Sequence, residues 1–272
     1  MPSEALTSAE VSLPSTPDAV RVRERIAILA DTVDLVGLTD NHAGQPRMSP
    51  LAAVALAREQ GVRTVVHVSC RDRNRLALQS QVSGAAALGS EGVLCLYGDP
   101  VDGVPRVKDL TTTSLIAEAK RWASPHDLSV GAVVNPFAPE PDRELRLLER
   151  KLAAGADFLQ SQMVFDLGLL RAFLDQASEL LDGVRFYAGI AVLRNERMAD
   201  RARRLPGCRI PDDAYRQISI GGGIALAIQL ATELATMPGV DALHIYPLGA
   251  EAATREVAAA FRSARGVSAQ RR

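Results

Sequence analysis

The sequence predicts a (β/α)8 barrel, and three observations carry that prediction. Eight short apolar runs recur along the 272 residues, as the buried strands of a parallel sheet do. Between them lie segments with apolar residues three or four apart, the spacing of a helix that buries one face. Several of these segments end in glycine, at Gly61, Gly89, Gly155, Gly183 and Gly239, the residue that takes the left-handed helix-ending conformation without a Cβ penalty. Eight such repeats in about 250 residues match the size of the barrel. A doubly wound open sheet is the alternative, because periodicity alone does not show closure.

Taken in order, the first strand is expected at 9–13, where Glu10 interrupts an apolar run, and the second at 33–38, ending in Thr39-Asp40-Asn41-His42. A helix over 51–60 leads to the third strand, 63–69, which carries His67 and runs into Cys70-Arg71-Asp72-Arg73-Asn74. A helix over 76–88 precedes the fourth strand, 92–96, closed by Tyr97-Gly98-Asp99-Pro100. The fifth strand, 128–134, ends in Asn135-Pro136, and a helix over 143–153 separates it from the sixth, 157–163, with Ser161-Gln162 at its end. After a helix over 167–181 come the seventh strand, 184–190, a turn at Gly221-Gly222-Gly223 opening a helix over 224–234, and the eighth strand, 241–247. Residues 1–262 read as one barrel domain, and the polar, basic 263–272 as a fraying tail.

Composition narrows the function classes. A hydrophobic content of 47% supports a large core, and a net charge of -1 gives no electrostatic reason to expect nucleic acid or an anionic membrane as partner. Three cysteines without a CxxC spacing indicate neither a disulfide framework nor a zinc site, which fits a reduced, cytoplasmic setting. No apolar run approaches the roughly 20 residues that span a bilayer, and the first twenty residues lack a basic start followed by an apolar core, so a soluble chain is expected. The four histidines, His42, His67, His126 and His244, make no HExxH-type pattern, so no metal is expected. No Gly-x-Ser-x-Gly elbow marks a covalent nucleophile.

In a barrel of this kind chemistry sits at the carboxyl ends of the strands. Each polar group there has a bland and a sharp reading. Glu10 is an exposed charge or, if it points into the barrel mouth, an acid whose partial burial raises its pKa and suits it to proton delivery. Gly98-Asp99-Pro100 is an ordinary turn, or a place where glycine lets a ligand approach an aspartate. Gln162 bonds a neighbouring strand end, or reads the edge of a pterin or flavin with its amide. The arginines 71, 73 and 75 alternate with Asp72 and Asn74 as in a capped helix start, with phosphate binding as the sharper alternative. Gly221-Gly222-Gly223 lacks the Lys-Ser/Thr that completes a P-loop.

Together these pieces resemble the methylenetetrahydrofolate reductase family over nearly the whole chain. The segments AEVSLP (9–14), LTDN (38–41), HVSCRDRNRLALQS (67–80), GDP (98–100), ERKLAAGADFLQSQMVFD (149–166) and LHIYPLG (243–249) occur in that family's order. The resemblance implies a barrel that holds FAD and passes hydride from NADH or NADPH through the flavin to 5,10-methylenetetrahydrofolate, giving 5-methyltetrahydrofolate for methionine synthesis. It implies a folate substrate and a homo-oligomer. Glu10 falls where the family has its general acid, and Asp99 where it has the aspartate that stabilises the cationic iminium beside the pterin and flavin. Gln162 matches the glutamine that contacts folate, and Thr39 a threonine near the isoalloxazine and substrate. His67, Gly98, Asn135 and Lys151 match positions at the flavin. Several residues depart from the pattern: Tyr97 stands where relatives place threonine or arginine, Val133 and Val134 where some place a flavin-stacking tyrosine, and the loop 191–196 lacks a phenylalanine. Two alternatives follow, a flavin-free reductase on the same barrel and a non-catalytic folate-binding subunit.

Overall fold

The computed structural model describes residues 6–99, 103–124, 126–205 and 207–267. Eight strands, all paired in parallel, close into a barrel in sequence order: β1 (Thr7–Val11), β2 (Leu35–Leu38), β3 (Thr64–Ser69), β4 (Gly92–Leu96), β5 (Ser129–Val134), β6 (Phe158–Met163), β7 (Arg185–Ala191) and β8 (Ala242–Tyr246). Closure rests on the pairing of the first strand with the last, Thr7 with Leu243, Ser8 with His244 and Ala9 with Ile245. That register removes both sheet edges and settles the choice against an open sheet.

The helices are α1 (Ala19–Ala30), α2 (Pro50–Arg58), α3 (Arg75–Ala87), α4 (Thr112–Ala123), α5 (Pro141–Ala153), α6 (Leu167–Gln176), α7 (Glu196–Arg203), α8 (Asp212–Ser219), α9 (Gly223–Ala235) and α10 (Thr254–Ala264). The five expected glycines all take left-handed φ, from +68° at Gly61 to +99° at Gly155. Helix α6 stops five residues before the expected Leu181, and the following turns carry the chain to β7. α10 continues through Ser263 and Ala264, so the expected tail begins with helical residues, and 268–272 lie outside the described residues. Between β7 and α9 the chain makes an excursion through α7 and α8 on the carboxyl-end side of the barrel.

Strand β1 starts two residues earlier than its sequence pattern suggests. The Asp34 carboxylate accepts from the backbone N–H groups of Leu6 (3.0 Å) and Thr7 (2.9 Å) and is paired with Arg262 at 2.9 Å, which ties the entry of β1 to β2 and α10. Beyond Val11, Leu13 N–H donates to the Thr39 hydroxyl instead of continuing the ladder.

Alternation along the strands fills the barrel with a gradient. Its lower interior is apolar and aromatic: Leu35, Val65, Leu94, Phe158, Tyr187 and Ala242. Two residues further along the same strands come Gly37, His67, Gln160 and His244, and two further still Thr39, Ser69, Gln162 and Tyr246. The larger core lies outside the barrel, where helices cover the outward-facing residues of the strands.

Candidate active site

At the carboxyl ends of the strands is a cavity of about 430 Å³. Every residue expected to serve the site lines it: Glu10, Thr39, His67, Gly98, Asp99, Asn135, Lys151 and Gln162. They come from six strands or strand ends and one helix, so only closure of the barrel brings them together.

Glu10 projects inward from β1 beside Gly37 of β2. A Cβ at Gly37 would stand 3.2 Å from His67 Nε2 and 3.7 Å from Glu10 Cβ, so the missing side chain is what lets the imidazole and the acid share one notch. Burial pushes the Glu10 carboxyl up to about 7, because a desolvated carboxylate is disfavoured. Burial takes His67 the other way, to about 4, with Asp40 opposing, and its ring is neutral at pH 7.

Asp99 is exposed at the opposite rim, on the turn after β4. Gly98 before it has φ +100°, and a Cβ there would press on Ser69 and Arg71 at 3.2 and 3.3 Å, so glycine lets the ends of β3 and β4 converge. His42 feels Asp99: burial lowers its pKa, and the aspartate pulls against that. Pro100, the last residue of that motif, lies outside the described residues. Gln162 sits where the pairing of β6 with β7 shifts register between Gln160 and Met163, an irregularity of the kind that re-aims a side chain at a barrel rim. Its Oε1 accepts from Met163 N–H at 2.9 Å.

Three of the expected contacts are tied into the scaffold. The Thr39 hydroxyl donates to Val11 O at 3.2 Å and accepts from Leu13 N–H at 3.2 Å, stapling the ends of β1 and β2. Asn135 Oδ1 accepts from Phe137 N–H at 3.1 Å, and a Cβ on Gly207 would lie 1.9 Å from Asn135 Nδ2, so the excursion after β7 rests on this amide. Lys151 Nζ donates to Val133 O at 2.7 Å and lies 3.8 Å from Glu144. Burial lowers its pKa, and Glu144 opposes.

The arginine run opens α3 as a capped helix start, with Asp72, Asn74 and Arg75 exposed, but Arg71 and Arg73 turn inward to the scaffold. Arg73 grips the buried Asp40 with two hydrogen bonds, 2.6 and 2.9 Å, and Asp40 also accepts from Ser69 N–H at 2.9 Å. Arg71 is buried, paired with Asp72 and bonded to Val104 O at 3.0 Å. Asn74 caps α3 as expected, accepting from Ala77 N–H at 3.0 Å.

Sequence reasoning passed over Tyr246, Ser69 and Glu144. Tyr246 is the last residue of β8, its hydroxyl donating to Ser161 O at 2.8 Å and accepting from Gln160 Nε2 at 3.1 Å. The Glu10 carboxyl adds to the burial that raises its pKa. Ser69 Oγ is buried on the cavity wall with no hydrogen-bond partner among the described residues. Glu144 accepts from Asn135 N–H at 3.0 Å. The signal for Tyr246 and Ser69 was the period-two alternation, which puts both on the inner face. Glu144 carried none, since helix periodicity alone does not say which end of α5 meets the sheet.

The family model for methylenetetrahydrofolate reductase matches residues 2–262. The chain belongs to the methylenetetrahydrofolate reductase family. Among reductases of known name, that of Salmonella typhimurium is 26% identical over 203 residues, 69% of this chain and 66% of the relative. Methylenetetrahydrofolate reductase 1 of Schizosaccharomyces pombe is 21% identical over 216 residues, 72% of this chain. The match spans 35% of the yeast relative's length and 38% of that of a Caenorhabditis elegans relative. A solved protein of Clostridium thermocellum shares the fold, with a TM-score of 0.69 and 12% identity over 95% of this chain and 96% of its own.

The family implies FAD, whose diphosphate needs cations or backbone donors to hold it. Among the described lining residues Lys151 is the only lysine or arginine, and its ammonium is already bonded. Arg71 and Arg73 turn away to Asp72, Val104 and Asp40. Glu10, Asp99 and Glu144 line the same cavity, and the wall formed by Val133 and Val134 is aliphatic. Cations that could hold a diphosphate are scarce among these described lining residues, which weighs against a tightly resident FAD. Among the described residues there is also no cluster that could hold a metal ion and no helix long and apolar enough to cross a membrane.

Proposed function

We propose that the chain reduces 5,10-methylenetetrahydrofolate to 5-methyltetrahydrofolate, taking hydride directly from NADH or NADPH. The observation that carries this reading is one cavity with a protonatable glutamate on one wall and a carboxylate across from it. Glu10 titrates near 7, so a large fraction is protonated at neutral pH. As general acid it gives its proton to folate N10 as the C–N10 bond of the five-membered ring breaks, leaving an N5 iminium cation. Asp99 stabilises that positive charge, and Gln162, with an amide at the rim, orients the pterin. Hydride from the nicotinamide then adds to the iminium carbon, giving the methyl group and NAD(P)+. One proton and one hydride are consumed per turnover.

The acidic lining supports a substrate that becomes cationic. A dissociating NAD(P)H need insert only its nicotinamide ring, leaving its phosphates in solvent, whereas a resident flavin must be held tightly throughout. The Clostridium thermocellum protein of the same fold is described as binding two copies of 5-methyl-5,6,7,8-tetrahydrofolic acid, which agrees with a folate ligand on this barrel.

The test is an absorption spectrum and an assay on one preparation. Colourless protein that oxidises NAD(P)H only when methylenetetrahydrofolate is present is the expected result. Yellow protein, or activity that requires added FAD, would replace direct transfer by the flavin route, a reading that family membership favours. Colourless protein that binds folate without turnover would overturn the reductase reading in favour of a folate-binding subunit.

A further inference from the structure

Below the catalytic cavity lies a second, enclosed space of about 20 Å³, lined by Ser8, Gly37, His67, Gln160 and His244 above Leu35, Val65, Phe158 and Tyr187. A space needs roughly 10–15 Å³ and two to four polar partners to hold one water. This one meets both conditions. His244, 1% exposed, has its Nδ1 2.8 Å from Ser8 Oγ, while its Nε2 is buried with no hydrogen-bond partner among the described residues. An unpaired buried nitrogen is destabilising, and the cavity it lines offers a remedy. Gly37 connects this space to the site above, since the position of its absent Cβ touches both His67 Nε2 and Glu10.

We propose that His244 is a positioning residue of the active site: with His67 it holds one buried water beneath Glu10, and this hydrated imidazole pair is the polar floor that sets the acidity of Glu10. The assignment rests on the proposed reductase reading for its role in catalysis, but not for its effect on Glu10. The floor acts by partial solvation. Burial raises the Glu10 carboxyl, and a water with two neutral imidazoles behind it restores some stabilisation to the carboxylate. Its acidity is thereby set jointly by desolvation and by this floor.

Glu10 shares the lining of the upper cavity with Asp99, Glu144 and Lys151. From β8 come His244 and Tyr246, whose rings meet edge to face at 4.6 Å, with Cys208 of the excursion beyond Tyr246. From β3 comes His67, backed by Asp40 and His42. β2 presents Gly37, β6 the uncharged Gln160, and Tyr187 of β7 lies below. Burial lowers the pKa of both floor histidines, so they remain neutral and do not titrate alongside Glu10.

The experiment has two arms, neither requiring turnover. In a high-resolution crystal structure of the wild-type chain, a water should lie within about 3.2 Å of His244 Nε2. In carbon-13 NMR of glutamate-labelled protein, with the Glu10 signal assigned through Glu10→Gln, His244→Phe should raise the Glu10 pKa by at least about half a unit. His244→Gln, whose amide reaches the same place, should bring it back. Where activity is measured, the alkaline limb of kcat/KM should move upward with the NMR value in His244→Phe, with KM for folate little changed. A dry cavity in the wild type, or an unmoved Glu10 pKa in folded His244→Phe, would overturn the proposal. The wild-type water requires no variant, so a His244→Phe chain that fails to fold leaves that arm decisive. Loss of turnover together with an intact water and the expected NMR shift would count against the reductase reading alone.

Discussion

The two ends of the barrel hold cavities of opposite character. Around the amino ends of β7 and β8 lies an open groove of about 910 Å³ lined by Asp175, Glu179, Asp182 and Asp241, with Arg185 among them. At the carboxyl ends the cavity is less than half as large, about 430 Å³. Volume therefore points to the wrong end. Three of the groove's acids, Asp175, Glu179 and Asp182, are exposed, and water screens such charges from one another. Glu10 is half-buried among the strand ends around it, and burial pushes its carboxyl up to about 7. Desolvation at a place where several strands converge, not space, separates a reactive carboxyl from an ordinary one.

The largest break in that comparison is expected from Glu10→Gln. Loss of a positioned acid should lower kcat/KM for methylenetetrahydrofolate by roughly 10²–10⁴-fold, measured by NAD(P)H oxidation. In the wild type the same acid predicts the pH profile: protonated Glu10 is the active form, so kcat/KM should fall as pH rises through about 7. A flat profile between pH 6 and 8 would remove Glu10 from its role.

Asp99→Asn comes next. Its carboxylate stands at the exposed rim, so its stabilisation of the iminium is partly screened, and a loss of roughly 10- to 100-fold in kcat is expected. A KM effect without a kcat effect would make it a binding residue only.

Stability offers a smaller effect of opposite sign. A carboxyl whose pKa rises on folding, here from 4.5 to about 7, contributes fully to stability below its unfolded value, and that contribution is lost as pH climbs through this window. Glu10→Gln cannot ionise. Its Tm relative to wild type should therefore be higher at pH 8 than at pH 4, an exchange of activity for stability at the site. An equal Tm difference at both pH values would show that Glu10 is not desolvated.

At the other end, Asp175→Ala and Glu179→Ala should leave kcat/KM unchanged within experimental error and stability within about 0.5 kcal/mol. A tenfold loss of turnover in either would mean that the larger groove is also part of the site.

Much of the architecture was legible before folding. Apolar runs and helix-ending glycines placed the eight strands to within two residues at most boundaries, because local patterning fixes an element's type more firmly than its edges. The ends of β1 departed because a side chain, Asp34, decided where its ladder began. Glu10 was legible as an acid in an apolar run, but its burial depended on strands 27 to 236 residues away in sequence, as its neighbours Gly37 and Tyr246 show. The run Arg71 to Arg75 shows its capped helix start in the sequence, but not the inward turn of Arg71 and Arg73. Nothing local says that Arg73 will reach back to Asp40, an ion pair made across two strand ends.

The sequence by itself thus determined the periodicity, the family and which chemical groups stand at strand ends, since each is a property of neighbours along the chain. Only the tertiary structure decided that β1 meets β8 and closes the ring. It also decided that Asn135 and Thr39 serve as struts, and that the inner faces grade from Phe158 and Tyr187 up to Gln162 and Tyr246. The physical reason is that burial and charge pairing are collective. A carboxyl becomes an acid for catalysis through what surrounds it in space, and those surroundings exist only once the barrel is shut.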